Sequence, residues 1–133
     1  MMTTRDKIIS HALDVSCKIF NANRNNVLSN NNRNSNTIKA KRMFIYYLYI
    51  YMEITHKGMN KYFRTINHAS SIHHVNKFHF ELFTYNDVRK NFNEFLTQMK
   101  RFNVYGGRFY EKRKEIKNLL FELKQNNNEN NTN

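Results

Sequence analysis

Apolar residues recur at three- and four-residue steps along most of the chain, and no stretch alternates apolar with polar as a half-buried strand does. The pattern predicts helices throughout. The first is predicted to start at Thr3 or Thr4, hydroxyl residues suited to capping, and to end near Phe20. Ile8, Ile9, Ala12, Leu13, Ser16, Ile19 and Phe20 mark its inner face; Arg5, Asp6, His11 and Lys18 lie mostly outside. An asparagine-rich connection, Asn21 to Thr37, follows, and its Val27-Leu28 pair is expected to tack a short turn onto the core. Ile38 to Ile54 reads as a long central helix, nearly apolar all round from Met43 to Met52, as befits an element enclosed by its neighbours.

Thr55 to Lys57 are expected to make the turn and cap of a short helix ending near Phe63. A second helix begins near Asn67 and runs to Phe80–Phe83. From Thr84 or Asn86 onward, Val88, Phe92, Phe95, Leu96 and Met99 form another stripe, read either as core or as a surface for a partner helix. Val104-Tyr105-Gly106-Gly107 interrupts it, since paired glycines end a helix cheaply. A last helix, Arg108 to Lys124, places Ile116, Leu119, Leu120 and Leu123 inward and Lys112, Arg113, Lys114 and Lys117 outward. Gln125 to Asn133 is polar and of low complexity, and reads as a disordered tail. The expected fold class is all-α, with one unit over residues 1–83, a helical extension over 84–124 and the tail over 125–133.

Composition sharpens this picture. With 11 Phe and 8 Tyr but no Trp and no Pro, aromatic rings must do much of the packing. Lys and Arg outnumber Asp and Glu by 22 to 10, and the resulting formal charge of +12 attracts polyanions, nucleic acid foremost. Cys17, the one cysteine, excludes an internal disulfide framework; in its apolar run it reads as a buried thiol in a reducing compartment. No apolar run reaches the roughly 18 residues needed to span a bilayer, and the amino end lacks a secretory pattern. A soluble cytoplasmic protein is the expectation.

The stretch with most chemistry is Asn60 to Phe78, NKYFRTINHASSIHHVNKF. Asn67 is a good N-cap type, able to accept from the amide of Ala69 or Ser70. His68, Ala69 and Ser70 would form an exposed first turn, while Val75 and Phe78, with Ile72 or Ser71 before them, face inward. Such a turn suits the major groove of a duplex. Asn67 can pair with adenine N6 and N7, His68 can meet a purine edge, and Ala69 can pack on a thymine methyl. Ser70, His73 and Lys77 lie on the same side and suit phosphates. Lys39, Lys41 and Arg42 put positive charge at the start of the central helix, against its dipole, which an anion there would explain.

The segment THKGMNKYFRTINHASSIHHVNKF resembles the C-terminal DNA-binding domain of the bacterial replication initiator DnaA, over roughly residues 5 to 80. That family's signature has the form S-x-x-x-I-G-x-x-F-x-x-R-D-H-S-T-V-x-H-A-x-x-K-I. Thr55, Met59 and Phe63 take its hydroxyl, aliphatic and aromatic places; Asn67 and His68 stand for its Asp-His; Ser70, Ile72, His73 and Lys77 also fit. Ser71 and His74 stand where the family has an inward Val and Ala, and Ile66 replaces an Arg. The resemblance implies a helical bundle with a helix-turn-helix, DnaA C-terminal-domain-like or Trp-repressor-like, and extra C-terminal helices. It implies double-stranded DNA as partner, with Asn67 and His68 reading bases and hydroxyl, His and Lys positions holding the backbone. It aligns Arg42 with a family Arg, and Arg33 with a loop arginine that enters the minor groove.

Other chemistry is thinly represented. His68, His73, His74 and His79 include no pair at the four-residue step that sets two imidazoles on one metal. No glycine-rich phosphate loop or nucleophile–base arrangement occurs, so neither an ATPase motor nor another enzyme is expected, and no cofactor. The leading expectation is sequence-specific duplex binding at a replication origin or regulatory site of phage or mobile-element type. The competing one is an interaction or structural module that kept the helical fold without base readout, its working part being the helices after Asp87. RNA is a third and lesser reading, without the stacking-sheet signature of common RNA-binding modules.

Overall fold

The computed structural model describes residues 3–29, 34–63, 66–99 and 107–131, the last stretch as backbone alone beyond residue 122. Within them the chain is all-α: α1 Thr4–Phe20, α2 Arg24–Val27, α3 Ser35–Ile50, a 3-10 turn Lys57–Lys61, α4 His68–Thr84, α5 Asn86–Gln98 and α6 Tyr110–Asn131.

Local chemistry sets most of the boundaries. Thr3 and Asp6 form a reciprocal capping box at the start of α1, and Asn21 closes the helix in the left-handed region at φ 53°. Asn23 and Asn34 cap α2 and α3 through their side-chain oxygens, so the asparagine-rich connection is a run of helix starts. Because Asn34 is that cap, α3 begins three residues before the expected Ile38. It also stops sooner, at Ile50: Met52 N–H returns to the Tyr47 carbonyl at 3.2 Å, Ile54 N–H to Leu48 at 3.0 Å, and Glu53 sits at φ 55°.

The central helix is enclosed as its composition requires. Every residue from Met43 to Leu48 is buried, and α1, α2 and α4 pack on it. Its rings interlock with those of α4 and α5: Phe92 lies 5.7 Å from Tyr46, 5.3 Å from Phe78 and 6.0 Å from Tyr51, centroid to centroid. The helix from Asn86 is therefore part of the core. Its Phe92, Phe95 and Met99 are buried, which removes them as a docking surface for a partner helix.

Two further expectations change. The residues from Gln125 were expected to lack structure, yet α6 continues to Asn131. Arg113, expected on an outward basic face, is buried, donating to the Ile50 carbonyl at 2.8 Å with Glu53 3.8 Å away. The carbonyls at the end of α3 lack helical partners, and a long cationic side chain satisfies one of them. Of the expected break at 104–107, only Gly107 is among the described residues.

Candidate nucleic-acid interface

Two faces divide α4. Ser71, Val75, Phe78 and Leu82 are buried against α3 and α5. His68, Ala69, His73, Asn76 and Lys77 are exposed, and Ser70 is half-exposed. Asn67 caps the helix, its Oδ1 accepting from Ser70 N–H at 2.7 Å. That bond occupies one lone pair of the carboxamide oxygen and leaves both hydrogens of Nδ2 for an external acceptor. Ala69, Ser70, His73 and Lys77 thus share one outward face, whereas His68 continues the inward stripe of Ser71 and Val75 and is exposed because the helix begins there.

Buried Ser71 is accommodated by a neighbour. His56 Nδ1 lies 2.8 Å from its Oγ, which satisfies a hydroxyl at a position where an aliphatic residue would need no partner. The His56 ring stacks on Tyr49 at 4.2 Å and meets the exposed His68 ring edge-on at 5.5 Å. Burial, His68 and Arg108 together hold the His56 imidazole below its ordinary pKa. His74, at the other inward position of unusual identity, is part-buried with no hydrogen bond to Nδ1. Burial, reinforced by Arg42, Lys41 and His73, pushes it down to about 4, so it is neutral near pH 7.

The other candidate residues go elsewhere. Lys41 does not offer its charge to an external anion. It is 8% exposed, donates to the Ser29 carbonyl at 2.6 Å, and burial lowers its pKa. Arg42 is half-buried and pairs with Glu81 of α4 at 3.3 Å, tying α3 to α4. With α3 starting at Ser35, Lys39, Lys41 and Arg42 lie past its first turn, so the expected conflict with the helix dipole does not arise. Thr55 is exposed, and its Oγ1 accepts from Gly58 N–H at 3.0 Å, while the cap position of the 3-10 turn falls at His56. Arg33 lies outside the described residues.

Two residues on this surface escape a reading of local pattern. Asn76 is exposed three residues after His73, a spacing that helical periodicity alone could have picked out. His56 reaches the first turn of α4 only through the fold.

No group of three or more His, Cys, Asp or Glu side chains among the described residues is placed to hold a metal. A cavity of about 260 Å³ opens over Phe20, Met43, Phe78 and Val88 with the Arg42–Glu81 pair on its wall. It falls below the roughly 300–1,000 Å³ usual for small-molecule sites. No described helix is long and apolar enough to cross a membrane. No protein-family model, curated protein or solved structure matches the chain.

Proposed function

We propose that this protein binds double-stranded DNA in a sequence-specific way, with the 3-10 turn and α4 as a helix-turn-helix and the first turn of α4 as the reading element. The observation that carries the reading is the exposure of Asn67, His68 and Ala69 at the open start of a helix whose inner face is locked by Ser71, Val75 and Phe78. A rigid support of this kind limits the ordering cost of recognition. His73 and Lys77 extend the same face, and the net charge of +12 supplies the attraction to phosphates on which duplex affinity largely rests. The resemblance of the segment to the initiator signature supports a role at a replication origin or regulatory site of a phage or mobile element.

Repeated selection of bound duplexes from a random pool tests this. A motif of a few base pairs is expected to be enriched; a pool that stays random after several rounds would refute sequence readout.

One observation favours a second reading, a protein-interaction module. Phe80, Phe83 and Tyr85 at the far end of α4 are 57%, 36% and 49% exposed, an aromatic surface that duplex binding leaves unused. Retention of a protein partner by a chain indifferent to duplex would select it.

A further inference from the structure

The segment before α6 is anchored from several directions. Gly107 has φ 82°, a left-handed backbone that strains any L side chain, and a Cβ added to it would displace the Glu53 carboxylate. That carboxylate accepts from Phe109 N–H at 3.3 Å and lies 3.8 Å from Arg113. Glu53 itself is left-handed, a conformation that persists in a non-glycine residue when its surroundings over-determine it.

What this anchoring presents is Arg108. The side chain is exposed, its guanidinium 4.7 Å from the centre of the Phe109 ring and 5.8 Å from that of Tyr49. It forms no ion pair with a described carboxylate, the nearby Glu53 being engaged by Phe109 and Arg113. Tyr49 continues the row of rings to His56 at 4.2 Å, and His56 to His68 at 5.5 Å. The guanidinium therefore stands at one end of an aromatic row whose other end is the first turn of α4. Packing against the rings restrains it before any ligand arrives, and a planar fork of N–H donors matches the oxygens of a phosphate.

We propose that Arg108 is a backbone-phosphate contact of the same DNA site, delivered beside the reading turn by the start of the C-terminal helix. This rests on the duplex-binding reading. It makes the extension part of the binding surface rather than a prop behind it.

The test is titration of labelled duplexes by the full chain over a range of salt, for the unaltered protein, Arg108→Ala, Arg108→Lys and Gly107→Ala. Arg108→Ala is expected to weaken all sequences alike and to reduce the log–log salt slope by about 0.9. Arg108→Lys should keep the slope at lower affinity, having kept the charge and lost the planar fork. Gly107→Ala, which changes no charge, should reproduce the affinity loss of Arg108→Ala by unseating the loop.

The proposal falls if the unaltered chain binds duplex and Arg108→Ala leaves affinity and slope unchanged. It also falls if that variant alters base preference instead of overall affinity. Absence of duplex binding by the unaltered chain would remove the parent reading and this one together. Arg108-dependent binding confined to single strands would overturn both, assigning the exposed rings to base stacking.

Discussion

Asn67 has two separable duties, and substitutions that divide them give the sharpest check on the site. Its backbone is extended, at φ −88° and ψ 163°, and its Oδ1 accepts the amide hydrogen of Ser70 at 2.7 Å. Removing that cap with Asn67→Ala is expected to cost about 1 kcal/mol of folding stability. Loss of a base contact costs a further ~1–3 kcal/mol of discrimination, roughly 5- to 150-fold between right and wrong base pair. Asn67→Ser keeps an oxygen for the Ser70 amide and discards the Nδ2 donors. Its melting temperature is therefore expected to stay close to that of the unaltered protein, while base preference collapses. Asn67→Asp keeps the cap as well but presents a carboxylate, which accepts from the cytosine amino group, so preference should shift rather than vanish. The assay is competition binding against duplexes that differ at single base pairs, paired with thermal melting of each variant. Equal losses on every duplex for Asn67→Ser would reduce the residue to a backbone contact. An unchanged preference would remove it from the readout.

Two further outcomes test the framework that holds the site. Phe92 is fully buried among rings of α3, α4 and α5, so Phe92→Ala is expected to cost about 3–5 kcal/mol, a large share of a typical 5–15 kcal/mol. Chemical denaturation would show it, and a negligible change would mean that α5 is not integral to the fold. His74 is held at about 4 in the folded chain against an ordinary 6.5, so the unfolded state binds more protons between those values. Its contribution to stability is complete above pH 6.5 and is lost as pH falls towards 4, with His56 and His79, also lowered, acting in the same sense. The denaturation midpoint should fall between pH 7 and pH 5, less steeply in His74→Gln. Parallel pH profiles for the two proteins would refute this account of His74.

The all-α class, the capped start of α4 and the division of that helix into an inward stripe and an outward face could all be read directly from the chain. Each depends on interactions within about one turn: a cap three residues from its target, or side chains three and four apart. That Val75 and Phe78 turn inward follows from spacing; that Asn67 reaches Ser70 rather than Ala69, and that Ser71 rather than Ile72 is the buried one, came with the structure. The apolar central helix likewise had to be enclosed, because no other arrangement hides rings on every side.

Tertiary structure decided where the long cations went and which distant groups met. Lys41 and Arg113 carry the same charge as their exposed neighbours, and acceptors elsewhere in the chain meet them inside, the Ser29 carbonyl for one and the Ile50 carbonyl with Glu53 for the other. Nothing in the local sequence marks those acceptors, since a carbonyl loses its partner according to where a helix happens to stop. The row from Arg108 through Tyr49 and His56 to His68 joins four separate segments. Such a juxtaposition exists only once helices have packed, because contact between remote side chains depends on the path of the backbone between them and not on the residues themselves.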